Sequence, residues 1–360
     1  MAIPAELRVE TIMAAFEKFA SEPQSKLAKY FSPMGAENGG NFVKYDVLEY
    51  NRAMLDMVAY DAKAPLTDYP VRTVVSFEAP TYKQRIDILP SLLKGVRDVG
   101  SLSNSQQATI ARAVRQCALN LERRQNWLRA QWLTGGACLS SAGVAPIEPT
   151  GIVYLDTRFG KTSTPQAISL GFTASHIDAG ATASWATAGT DIKADIDAAR
   201  VAIMADGGVD ARRIILNSKA MGYIYNNTGS GEKSEIYKAM YDKSGEFTNL
   251  WGYEFDVIDE VLPFDATSMA TDTGATGYIK AIPDEVVIIT TADNMAAGRY
   301  MIECEPSDVN APSNARGAFA WQDGDWEHPH VPQFGVEWTG APAIVNVDSQ
   351  YIYTKVTDTS

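Results

Sequence analysis

A chain of 360 residues, 46% hydrophobic and 21% charged, can bury one large core or two modest ones, which excludes a disordered polymer. Its 31 basic and 44 acidic residues leave a net charge of −13, so nucleic acid and anionic membranes repel it and non-specific binding to either is disfavoured. Cys117, Cys138 and Cys304 stand far apart with no CxxC pair, which gives neither a disulfide framework nor a zinc knuckle and points to a reducing, cytoplasmic setting.

The opening "MAIPAELRVETIM" lacks a basic stretch followed by an apolar one, and no apolar run approaches membrane-spanning length, so neither secretion nor membrane insertion is expected. Val9, Ile12, Met13, Phe16 and Phe19 recur at helical spacing and predict a short amphipathic helix, with glycine and asparagine further on in "GAENGG". Its stripe is too narrow to fold alone, so the segment reads as an arm that needs a surface to lie on. Two runs of strand character follow. In "NFVKYDVLEYN", Val43, Tyr45 and Val47 alternate with Lys44 and Asp46, and in "PVRTVVSFE", Val71, Thr73, Val75 and Phe77 share a side. They predict the two sides of a long hairpin, whose intervening Met54, Leu55, Met57 and Val58 would be apolar surface in search of a partner.

The strongest local pattern is "SNSQQATIARAVRQCALNLERRQNWLRAQWLTGG", where Ile110, Val114, Cys117, Leu121, Leu128 and Trp132 fall on one helical face. Ser103 with Gln106 resembles a capping box, and Gly135 and Gly136 end the run. A helix of about thirty residues is ~45 Å long, a strut rather than a compact-domain helix. Its Arg112, Arg115, Arg123, Arg124 and Arg129 form either a solvated face or ion pairs with acidic neighbours in an assembly. From Gly136 to Thr190 the composition turns to Gly, Ala, Ser and Thr, predicting irregular β structure with one clear strand, "GIVYLD". An α/β unit begins after it. Ile192, Ile196, Ala199 and Ile203 predict a helix that stops at Gly207 and Gly208, then "RRIILNS" reads as a buried strand leading into the helix "KAMGYIYNN". "WGYEFDVID", "YIKAIPDEVVIITT" and "GRYMIECEP" are three runs expected to complete a mixed sheet, and "GAPAIVNVDSQYIYTKV" closes the chain as a long strand pattern.

Chemical motifs are few. "NNTGSGEKSEIY" has the composition of a phosphate loop, but Glu232 separates Gly231 from Lys233 and a helix precedes the glycines, so a polar loop is the better reading. Asn226 opens a glycosylation sequon that has no meaning without secretion. "DGDWEHPHVPQFG" gathers His328 and His330 beside Asp323, Asp325 and Glu327, a donor set that could hold a metal. Pro329 and Pro332 fix the backbone there, and the third histidine, His176, is remote in sequence, so a surface loop is preferred and a metal-dependent enzyme built on His328 and His330 is the alternative. No GxSxG elbow and no local cysteine signature is present, so no catalytic, cofactor or metal residue is assigned.

The order of these segments resembles the major capsid protein of lambda-like tailed bacteriophages, the capsid protein E family. "KYFSPMGAENGGNFVKYDVLEYN" is similar to the family's arm passing into its extended loop, and "FEAPTYKQRIDILPSLL", with Pro80 and Tyr82, to the return from it. "LNLERRQNWLRAQWLTGG" resembles the end of the spine helix, and "SWATAGTDIKADIDAAR" the family's tryptophan and aspartate-bearing helix, here Trp185 with Asp191 or Asp195. "IPDEVVII" resembles its Leu-Pro-Asp turn, and "FGVEWTGAPAIVNVDSQYIYTKV", with Ala341 and Pro342, its closing strand. The likeness covers nearly the whole chain, although the stretch from Gly136 to Ser184 exceeds the family's needs and could be an insertion on the shell surface.

The resemblance implies an α+β capsid fold with an N-terminal arm over 1–40, an extended β-hairpin loop over 41–90 and a spine helix with peripheral domain over 91–190. An axial domain over 191–335 and a closing peripheral strand over 336–360 complete it. It implies self-assembly into pentamers and hexamers of an icosahedral phage head in the virion, with packaged double-stranded DNA in weak contact and a portal, scaffolding protein and decoration protein as further partners. Arg72, Lys83 and Arg85 are candidate ion-pair partners for a neighbouring subunit, with solvated charges as the equal alternative. No lysine–asparagine cross-linking motif is assigned. An encapsulin-like non-viral shell would share the fold.

Overall fold

The computed structural model describes residues 25–36, 42–48, 72–87, 104–138, 152–155, 166–178, 181, 183–187, 189–226, 249–265, 276–306, 317–323, 333–354 and 356. The arm helix expected over 9–19, the hairpin interior over 49–71, the polar loop after Asn226 and the histidine pair lie outside the described residues. In chain order come strands β1 (Ser32–Gly35), β2 (Phe42–Leu48), β3 (Arg72–Glu78) and β4 (Thr81–Asp87), then helix α1 (Asn104–Leu133). β5 (Ile152–Leu155), β6 (Gln166–Ser169) and β7 (Ile177–Asp178) precede α2 (Ile192–Asp206), β8 (Arg213–Leu216) and α3 (Ser218–Asn226). The remainder is β9 (Asn249–Leu250), β10 (Tyr253–Val257), β11 (Val261–Asp265), β12 (Thr276–Lys280), β13 (Val287–Thr290), α4 (Asn294–Ala297), β14 (Arg299–Glu303), β15 (Ala318–Asp323), β16 (Gln333–Ile344) and β17 (Gln350–Tyr353).

The chain divides into two compact units, one made of Met1–Val43, Ser76–Arg129 and Tyr300–Pro342, the other of Lys44–Val75, Ala130–Arg299 and Ala343–Ser360. β2 and β3 pair as a two-stranded sheet, and the alternation in β2 is realised, with Val43, Tyr45 and Val47 buried and Lys44 exposed.

The first unit is organised by β16, which pairs with β15 on one flank and β4 on the other, and whose sheet continues through β14 to β1. Trp338 of β16 is fully buried and stacks on Tyr82 of β4 with ring centroids 5.8 Å apart. Helix α1 is tied to the same strand by Arg124 over the Tyr82 ring and by Asn120, whose amide donates to Gln84 at 3.1 Å. Val114, Cys117 and Leu128 are buried as their helical spacing requires, while Arg112, Arg115 and Arg123 stay exposed. The helix closes through two left-handed glycines, Gly135 (φ 59°) and Gly136 (φ 90°), with the Gly136 N–H donating to the Gln131 carbonyl.

The second unit is a six-stranded mixed sheet in the order β7-β17-β13-β8-β10-β9, with α2 and α3 packed on it. β8 and β10 run parallel, and β13 is antiparallel to both β8 and β17. Ile192, Ile196, Ala199 and Ile203 of α2 meet Ile214, Leu216, Val287 and Ile289 of the strands in one apolar cluster. The start of α2 is set by Asp191, whose side chain accepts from the Ala194 N–H at 3.1 Å, and its end by Gly207. Among the described residues, β2–β3, β5–β6 and β11–β12 form three further two-stranded ribbons.

Three expectations change. "GRYMIECEP" forms β14, but it joins the first unit's sheet beside β1 rather than the α/β sheet, because Ser32 to Gly35 supply a parallel partner for Tyr300 to Glu303. "YIKAIPDEVVIITT" breaks at Ala281–Pro283 into β12, paired with β11, and β13 in the six-stranded sheet. The closing pattern likewise divides: β16 belongs to one sheet and β17 to the other, with a tight turn at Val347–Ser349 between them.

Candidate functional site

Of the residues weighed as metal ligands, His328, His330, Glu327 and Asp325 lie outside the described residues, and Asp323 ends β15. Among the described residues no cluster of three or more metal-ligating side chains occurs. His176 has a structural place: it is fully buried, with Nδ1 3.0 Å from the Gln350 carbonyl and Nε2 3.0 Å from the Asp206 carboxylate. It thereby joins the segment before β7 to β17 and to the end of α2. The cysteines are buried; burial pushes the thiols of Cys117 and Cys304 up to about 11 and that of Cys138 up to about 12, so none is a thiolate at neutral pH.

The residues singled out by the resemblance do meet. Trp185 donates its indole N–H to the buried Asp195 carboxylate at 2.8 Å, while Asp191 caps the same helix, so the two candidate aspartates hold different roles. The Tyr353 hydroxyl of β17 donates to the Asp195 carbonyl, and the backbone N–H of Trp185 donates to the Val356 carbonyl, which clasps the segment before α2 onto the end of the chain beyond β17. Lys83 and Arg85 sit on β4, outside the hairpin. Lys83 is engaged within its own chain, 2.8 Å from the fully buried Glu337 carboxylate, and its side chain remains about half exposed. Exposed apolar side chains do occur on the hairpin, at Phe42 and Val74.

A feature not anticipated from sequence is a groove of ≈ 380 Å³ beside α2 and the start of β10, with Val201, Met204, Trp251 and Tyr253 in its lining. Its charges are organised in two clusters. Asp210 is held below the usual carboxylate range by the hydrogen bond from Arg200, with Arg212 adding to it against a smaller opposing effect of burial. Burial pushes the Asp197 carboxyl up, but hydrogen bonds from Lys193 and Tyr253 outweigh it and hold the group below its usual range. Both carboxylates are thereby paired with cations beside the groove. The signal available in sequence was the "LWGYEF" turn, where Trp251 and Gly252 link β9 to β10.

This combination of a long helix on a β16-centred sheet, an α/β unit and a separate hairpin is the fold of tailed-phage capsid proteins. It aligns with a protein of Escherichia coli assigned as a prophage capsid protein at TM-score 0.62 and 10% identity, covering 97% of this chain and 99% of that one. It aligns also with a phage-related protein of Bordetella bronchiseptica at TM-score 0.55 and 15% identity, covering 95% and 96%. No curated protein sequence matches the chain. Residues 8–148, which include the hairpin and helix α1, match the family model of phage major capsid protein E. The chain therefore has the fold of phage capsid proteins, and its residues 8–148 are similar to phage major capsid protein E.

Proposed function

We propose that the protein assembles into pentamers and hexamers that close an icosahedral head around double-stranded DNA, and that it does no catalysis. The observation that carries this reading is the capsid E family match over residues 8–148 on a chain whose whole length takes the capsid fold. In this role 1–40 acts as the arm and 41–90 as the extended loop reaching a neighbour, which agrees with the exposed Phe42 and Val74. Helix α1 and the β16 sheet serve the peripheral part, and the six-stranded sheet the axial part. The net charge of −13 keeps the shell from adhering to the DNA packed against it, and assembly takes place in the host cytoplasm with scaffolding and portal proteins. A decoration protein would add to the finished surface.

Negative-stain electron microscopy with sedimentation of the purified full chain tests this directly. Closed shells, or rings of five and six, are expected. A monomer or dimer across salt and concentration would overturn the reading. Shells filled with a protein cargo in place of nucleic acid, when isolated from the native host, would assign an encapsulin-like container instead.

A further inference from the structure

Within the second unit, two surfaces at opposite ends of the same strands have the properties of a matched pair. β8 and β10 run parallel, with Arg212 and Trp251 just before their N-terminal ends and the β11–β12 ribbon leaving three residues beyond Ile258 at the C-terminal end of β10. The groove therefore lies at one end of the sheet and the ribbon at the other.

The groove is apolar where it is open. Val201 is 64% and Met204 48% exposed on α2, an outward face of a helix whose inward face is fully engaged in the core. Trp251 adds an aromatic wall at some cost. β9 and β10 are joined by a two-residue turn in which Trp251 (φ 55°) and Gly252 (φ 81°) both take positive φ. Such turns favour Asn-Gly, and a bulky residue at the first position is strained. A strained tryptophan is an outlier that motivates a functional role, here the placing of its indole at the groove.

The ribbon presents the complementary shape. In its register Val261 lies opposite Lys280 and Pro263 opposite Tyr278, so Val261 and Tyr278 share one face, while Leu262 on the other face is buried. Val261 is 54% and Tyr278 78% exposed, which puts an aromatic knob on the open face of this two-stranded element. The charges also oppose. Around the groove, Lys193, Arg200 and Arg212 outnumber Asp197 and Asp210, a local positive excess on a chain of net charge −13. At the ribbon root, Asp259, Glu260, Asp284 and Glu285 outnumber Lys219 and Lys280, and Lys280, which shares the Val261–Tyr278 face, is paired with Asp284.

We infer that the Val261–Tyr278 face of the β11–β12 ribbon of one copy docks in the Val201–Met204–Trp251 groove of the next copy, a head-to-tail contact between like subunits. A heterologous contact of this kind propagates a fixed rotation and closes into rings when the rotation allows. The inference rests on the proposed assembly function and names one surface that carries it.

The test uses the full chain and three variants. Trp251→Asn keeps a residue that accepts positive φ and removes the indole; Tyr278→Asp places a charge on the knob; Val201→Cys with Tyr278→Cys introduces a thiol on each side. Circular dichroism of the first two is expected to match the parent, and their sedimentation to shift from rings or shells to free subunits. The paired cysteines are expected to give covalent dimers and higher multiples with a short bis-maleimide, against a low background because the native thiols are buried. Parent-like assembly of both Trp251→Asn and Tyr278→Asp, or a double-cysteine chain that assembles without cross-linking, would refute the contact while leaving the capsid function standing. Failure of the parent itself to assemble would remove the capsid function and the contact together.

Discussion

Trp185 and Asp195 form a polar pair sealed inside the second unit, and the consequence of breaking it follows from what is left behind. Asp195→Ala strands a buried indole N–H, which costs about 1–3 kcal/mol, and a fall in the urea midpoint with an unchanged slope checks it. Glu303 behaves in the opposite way from the engaged aspartates of the groove. Burial raises its carboxyl above the usual range despite the attraction of Arg129. A raised carboxyl contributes stability below its unfolded value and loses it as pH rises through the folded value. Glu303→Gln is therefore expected to raise the melting temperature at pH 8, with the gain vanishing as pH falls below the glutamate range. For Asp197 and Asp210, both lowered, the stability is present at neutral pH and lost on acidification.

Elements here are positioned by close approach as much as by apolar faces. Gly207 ends α2 where the Asp348 backbone crosses it: a Cβ built there would sit 2.4 Å from the Asp348 carbonyl oxygen, which no side-chain motion relieves. Asn346 donates to the Gly207 carbonyl at 3.1 Å and holds the same crossing. Gly207→Ala is expected to separate the end of α2 from the turn before β17 and to destabilise the unit by roughly 1–3 kcal/mol, as overpacking does. Thermal unfolding measures the loss, and hydrogen exchange is expected to localise it to β17 and α2. An unchanged melting temperature would show that the two backbones can move apart freely.

At the scale of the whole molecule, charge decides behaviour toward nucleic acid. A net charge of −13 gives no counterion-release gain on DNA, so the full chain should leave linear duplex DNA unshifted in a mobility assay at about 0.15 M salt, in contrast to a basic DNA-binding protein. A shift at that salt would require a concentrated basic face and would contradict the weak-contact view of the shell interior.

Much was legible in the sequence because it is local. The glycines that close α1 and α2, the cap at Asp191, the alternation in β2 and the apolar face of α2 are set by period and by residues a few positions apart. The order of such segments was enough to carry the resemblance to phage capsid proteins. Beyond the β2–β3 hairpin, strand partnership was not legible. "GRYMIECEP" and the closing segment read correctly as strands, yet β14 chose β1, and β16 and β17 went to different sheets. Lys83 meets Glu337, and Thr339 donates to Thr81, across more than 250 positions of chain. Backbone donors and acceptors are the same at nearly every residue, so a strand's own pattern fixes which face is apolar but not which neighbour completes its ladder. The groove beside Trp251 and the ribbon that we match to it exist only once those partnerships are made, because their residues come from α2, the start of β10 and the β11–β12 pair.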